Sequence, residues 1–131
     1  MMDGGGLETE MAAKMGADVI VVMAQAHDAT IKEAVKFAKR YGVRIMGDLL
    51  AVKEKVRRAK ELVAMGVDYI IVHTGFDERH HNPGASPLKD LRAVVEAVDV
   101  PVQAVGGLNV EQALETLALG AKLIVFGAPL V

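Results

Sequence analysis

One phrase recurs along the chain, and its spacing restricts the fold. Met15-Gly16-Ala17-Asp18-Val19-Ile20-Val21-Val22 returns as Met65-Gly66-Val67-Asp68-Tyr69-Ile70-Ile71-Val72 and, shortened, as Leu119-Gly120-Ala121-Lys122-Leu123-Ile124-Val125. A weaker copy is Tyr41-Gly42-Val43-Arg44-Ile45-Met46. In each, a glycine able to take the left-handed conformation ends a helix, and an apolar strand begins at once. The glycines at 16, 42 and 66 are 26 and 24 residues apart, and the copy at 120 lies 54 further on, room for two such units. Val100-Pro101-Val102-Gln103-Ala104-Val105 supplies the strand in that gap, with Pro101 near its start, where a missing N–H is tolerated.

Helical patterns fill the segments between strands. Leu7, Met11 and Met15 recur every four residues. Ile31, Ala34, Val35 and Ala38 form an apolar stripe, as do Val56, Ala59, Leu62 and Val63, then Leu91, Val94, Val95 and Val98, and lastly Val110, Ala113, Leu114 and Leu117. Thr30 or Asp28 is the expected cap of the second helix, and Asn109, followed by Glu111 and Gln112, that of the last. The order is a helix, strand–helix four times, and a final strand. Alternation of this kind makes a parallel sheet with right-handed crossovers. The expected fold is therefore α/β, a partial (β/α)8 TIM barrel with five of eight strands in residues 1–131 as one domain. A doubly wound open sheet is the alternative. The continuous apolar run Tyr69–Val72 suggests a strand buried on both faces.

Composition excludes several functions. Apolar residues make up 52% and charged residues 24%, enough for a sizeable core, and a net charge of −2 without a basic stripe argues against nucleic acid. The absence of cysteine excludes disulfides, thiolate metal sites and a thiol nucleophile, and is compatible with a cytoplasmic protein. No stretch approaches a membrane span, and Met1-Met2-Asp3-Gly4-Gly5-Gly6 does not read as a signal peptide.

In parallel α/β folds chemistry collects at the carboxyl ends of strands. His73 and Thr74 end the most apolar strand. His73 reads either as a core histidine bonded to a carbonyl or as a general acid/base, since imidazole suits proton transfer near neutrality. Asp48 ends the second strand and could hold a helix start or a substrate hydroxyl. Gly106-Gly107 follows the fourth strand and Gly127 the fifth; such turns let backbone N–H groups approach an anion, and phosphates commonly bind between the last two strands of a barrel. The alternative is tight turns that simply need glycine. His80 and His81 fall in a Pro/Gly-rich loop running to Pro87, read as a solvated loop or a lid; His27 and Asp28 suit a helix start. Asp3 has no readable chemistry of its own beside Gly4-Gly5-Gly6.

Met65–Ile70 followed by Val72-His73-Thr74-Gly75-Phe76-Asp77 resembles the sixth strand of the 3-hexulose-6-phosphate synthase family, in the orotidine-5′-phosphate decarboxylase superfamily of (β/α)8 barrels. Asp28-Ala29-Thr30-Ile31-Lys32, Ile45–Leu50, Val105-Gly106-Gly107-Leu108 and Met2-Asp3 are similar to its fourth helix, fifth strand, seventh-strand loop and the end of its Asp-x-Lys-x-x-Asp motif. The resemblance implies that the chain corresponds to strands four to eight. It implies an aldehyde-lyase, which condenses formaldehyde with ribulose 5-phosphate to 3-hexulose 6-phosphate and runs the reverse. His73 would shuttle the proton, Thr74 and Asp48 would face the substrate, and Gly106, Gly107, Gly127 and Ala128 would hold the phosphate. Asp3 would complete the partner's site in a cytoplasmic homodimer. Mg²⁺ would polarise the ketone, its ligands expected N-terminal to this chain. The Asp and Lys that open the motif would precede Met1 and are absent, and Gly127-Ala128-Pro129 replaces a glycine pair. A 3-keto-L-gulonate-6-phosphate decarboxylase-like lyase is an alternative; that family tends to have Arg where Phe76 stands. A non-catalytic partial barrel that binds sugar phosphate or self-assembles is another.

Overall fold

A computed structural model describes residues 1–127. Its elements are α1 (Gly5–Lys14), β1 (Val19–Met23), α2 (Asp28–Tyr41), β2 (Arg44–Asp48), α3 (Lys55–Met65), β3 (Tyr69–His73), α4 (Phe76–His81), α5 (Leu88–Ala97), β4 (Val102–Val105), α6 (Val110–Ala118) and β5 (Leu123–Val125). The recurring glycine does what its position requires. Gly42 and Gly66 cap α2 and α3 with φ of 70° and 100°, and the next strand starts two or three residues later.

All five strands are parallel and lie in the order β1-β2-β3-β4-β5. The register places Val19, Val21 and Met23 beside Arg44, Met46 and Asp48, and His73 beside Val105 and Val125, on one face of the sheet. The alternate residues, among them Ile20, Val22, Ile45, Ile70, Val72, Val102 and Ala104, share one core with Ile31, Val35, Leu62, Leu91 and Val94 of the helices. A sheet of sequential strands with its helices on one side is an arc of barrel staves. A doubly wound sheet reverses its strand order and carries helices on both faces, so that alternative is set aside.

Several sequence expectations shift. Ile70, Ile71 and Val72 are all buried, as the apolar run of β3 suggested. On the outer strands the same sheet face is open: Val21 is 38% and Leu123 40% exposed. Leu7, Met11 and Met15 do not face the core but stand in solvent. Helix α1 instead buries Gly5, Gly6 and Thr9. Glycine is needed there because α1 lies so close to α2: a Cβ on Gly5 would collide with the Thr30 carbonyl, and one on Gly6 would stand 2.9 Å from the Phe37 ring. Helix α2 is capped by neither Thr30 nor Asp28 but by His27, whose Nδ1 accepts from the Ala29 N–H at 3.1 Å. Asn109 and Gln112 form the reciprocal cap expected at the start of α6. The Pro/Gly-rich loop opens with a short helix, α4. The outer edge of β1 is partly paired, since the Met1 ammonium donates to the Val21 carbonyl and the Met23 N–H donates to the Met1 carbonyl, both at 2.9 Å. No described helix is long and apolar enough to cross a membrane.

Candidate active site

The carboxyl ends of β2 and β3 bring Asp48 and His73 together. Both point to the open face of the sheet, and Nδ1 of His73 stands 2.9 Å from Oδ2 of Asp48. The other carboxylate oxygen accepts from the Leu50 N–H at 2.8 Å. Asp48 is buried and His73 half-buried, so the pair is anchored from behind and reachable from the front. A carboxylate only accepts, so Nδ1 carries the proton in this bond and Nε2 presents its lone pair elsewhere. In the structure Asp48 bonds the His73 ring and the Leu50 N–H, a partnership the sequence did not suggest.

Beside His73 lies a hollow of about 210 Å³, lined by His73, Thr74, Phe76, Arg79, Val105, Gly106, Gly107, Val125 and Gly127. Its floor is the turn after β4, where Gly106 and Gly107 have φ of 139° and 61°. A side chain is disfavoured at both, and at Gly106 backbone blocks it as well. The conformation disfavours L-residues, a Cβ on Gly106 would stand 2.7 Å from the Thr74 carbonyl oxygen, and one on Gly107 would collide with the Arg79 guanidinium. Consecutive glycines of this kind bare the backbone N–H groups an anion needs. Thr74 is buried against this turn, its N–H donating to the Val105 carbonyl at 3.1 Å, so it shapes the glycine loop.

The other candidate residues scatter. Asp3 is exposed beside Met1, at the end of β1, in a separate surface hollow of about 350 Å³ with Thr30, Glu33 and Phe37. His80 stacks on Phe76 and meets His81 edge-on in α4, away from Asp48. Ala128 lies outside the described residues. Sequence reasoning passed over Arg79, which the structure places in the hollow. A helix starting at Phe76 puts residues 76 and 79 on one face, and that spacing was the available signal. No group of three His, Cys, Asp or Glu able to hold a metal occurs among the described residues. Asp48, the one side-chain carboxylate at the site among the described residues, already bonds His73 and the Leu50 N–H, so these residues do not by themselves fit a Mg²⁺ cage.

A family model described as orotidine 5′-phosphate decarboxylase / HUMPS family matches residues 1–131. The chain belongs to this family. Among its relatives, 3-hexulose-6-phosphate synthase 3 of Staphylococcus saprophyticus is 39% identical over 97% of this chain and 60% of its own length. A crystal structure of 3-hexulose-6-phosphate synthase superposes with a TM-score of 0.89 at 36% identity, again over 97% of this chain and 60% of that one. 3-Keto-L-gulonate-6-phosphate decarboxylase from Vibrio cholerae follows at a TM-score of 0.76 and 26% identity. The chain thus spans about three fifths of the length of the curated relatives it matches, and the five-stranded parallel arc is part of this family's barrel.

Proposed function

We propose that this chain carries the phosphate loop and the proton-transfer dyad of a 3-hexulose-6-phosphate synthase. The observation that supports this best is the His73–Asp48 pair beside Gly106-Gly107, in a chain 39% identical to such a synthase. In the aldol addition, a C1 proton of ribulose 5-phosphate leaves to give an enediolate. C1 then bonds to the formaldehyde carbon as the C2 carbonyl of the sugar re-forms, and the formaldehyde oxygen, now an alkoxide, takes up a proton. Nε2 of His73 holds a lone pair that can receive the first proton and return one to the new alkoxide. Asp48 fixes the ring and stabilises the imidazolium in between. The phosphate sits on the N–H groups of Gly106 and Gly107, with Gly127, after β5, lining the same hollow; the family resemblance adds Ala128 to this set. Thr74 supports it from behind. Mg²⁺, which the family resemblance implies, would draw its ligands from outside the described residues, and no step here runs through it.

Residues 1–131 correspond in this reading to strands four to eight. Asp3 serves the partner's site in a cytoplasmic homodimer; it is exposed at the end of β1 and its carboxylate makes no bond within the described residues. Phe76 favours the synthase over the decarboxylase, because an aromatic ring lines the hollow at the one position where the decarboxylase family tends to have Arg.

The test joins the chain to the first three β/α units of the Staphylococcus saprophyticus relative and follows formaldehyde-dependent loss of ribulose 5-phosphate. We expect turnover by the joined protein and none by the chain alone, and His73→Ala should cut turnover by about 10²–10⁴-fold while leaving phosphate affinity nearly unchanged. A folded joined protein that consumes no ribulose 5-phosphate overturns the reading.

A further inference from the structure

The hollow contains a cation with no partner. Among the described residues Arg79 is the one arginine or lysine lining it, and none of its lining side chains is a carboxylate. Among the described residues Arg79 makes no ion pair, and its Nε is buried without a hydrogen-bond acceptor. The guanidinium is nonetheless held in place. It lies against the Cα of Gly107, where any side chain would displace it, and its Cζ stands 5.7 Å from the Phe76 ring centre. A buried N–H without an acceptor is costly, and the chain maintains one here, against Gly107, in a turn whose two glycine N–H groups have no acceptor among the described residues. An incoming anion would satisfy the guanidinium and the loop together.

We propose that Arg79 is the counter-charge of the substrate's phosphate, pairing with it across Gly107. This rests on the phosphate placement above and deepens it: the glycine loop supplies neutral N–H donors, whereas Arg79 supplies the charge that separates a phosphate dianion from a neutral sugar. A planar guanidinium can also meet two phosphate oxygens at once, which an ammonium cannot.

Nitrogen-15 NMR of the purified chain, titrated with inorganic phosphate and then with ribulose 5-phosphate, tests this. The Arg79 Nε–H and the Gly106 and Gly107 amides should shift along one saturation curve. Arg79→Gln should weaken binding of both anions by about tenfold or more, and Arg79→Lys should recover only part of that loss. Glycine amides that shift while Arg79 Nε–H stays still, or an Arg79→Gln chain that binds within twofold of the original, overturn the role of Arg79 and leave the phosphate loop standing. A chain in which nothing shifts overturns both. The Nε–H reading needs no substitution, so it decides the question even if Arg79→Gln does not fold.

Discussion

At the scale of single residues, the site turns on one hydrogen bond between side chains 25 positions apart. His73 was legible in the sequence because a polar residue ends an apolar run, and strand ends are where barrels place working groups. Its partner was not legible. Asp48 pairs in register with Ile71, so reaching His73 requires a step along β3 that only the stagger of the two strands supplies. Two consequences follow for a histidine held this way. With Asp48 in place, neutral His73 should carry its proton on Nδ1, the less common tautomer of a free histidine side chain. Long-range proton–nitrogen correlation spectra of the chain should show that form. In Asp48→Asn the side-chain amide no longer imposes it, and the Nε2–H form should dominate. A His73 already in the Nε2–H form in the unaltered chain removes Asp48 from its orienting role.

At the scale of elements, the recurring glycine-to-strand phrase made four of the five strands readable and the Val100–Val105 run the other, to within one or two residues at each end. What it could not show is how loops are tied down, because those ties run between elements. Arg58 of α3 is the main example. Its Nε donates to the Ala24 carbonyl at 2.8 Å and its Nη2 to the Ala26 carbonyl at 3.2 Å, while its guanidinium pairs with Asp28 at 2.8 Å and Glu61 at 2.7 Å. One largely buried side chain thus fastens the β1–α2 connection onto α3. Arg58→Met should lower the unfolding free energy by about 2–3 kcal/mol, read from urea midpoints, because it strips donors from two carbonyls and leaves Asp28 unpaired. The pH dependence has a definite sign. The hydrogen bond from Arg58 holds the Asp28 carboxyl below its ordinary value of 3.8, against the opposing effect of burial. A depressed folded-state pKa stabilises the protein above pH 3.8 and is lost as the pH falls through the folded value. Below about pH 4 the original chain should therefore lose more stability than Arg58→Met, in which Asp28 has lost the bond that holds it down. Equal acid limbs in the two proteins would show that the pair contributes nothing in solution. The effect should shrink in salt, since half of the Asp28 side chain is exposed.

At the scale of the whole molecule, the helices cover one face of the sheet and leave the other open. In a closed barrel that second face is the packed interior. Here Val19, Val21, Leu123 and Val125 stand at about two-fifths exposure on it, flanking a centre where Ile71 is buried. Met1 pairs with only part of the β1 edge, and β5 has β4 as its sole described neighbour. The alternation that made the fold readable was also misleading on this point. A strand with apolar residues on both faces predicts burial on both, and that burial requires staves that five strands cannot supply. Apolar surface of this extent beside open strand edges favours pairing with a second copy. The chain alone should sediment as a dimer or larger species at micromolar concentration. Val21→Lys with Leu123→Lys should shift it toward monomer, because each places a charge on the open face without touching the helix-packed core. A sharp monomeric boundary with cooperative unfolding in the unaltered chain would mean that the open face is stable in water, and that the arc needs neither a second copy nor further staves to hold its shape.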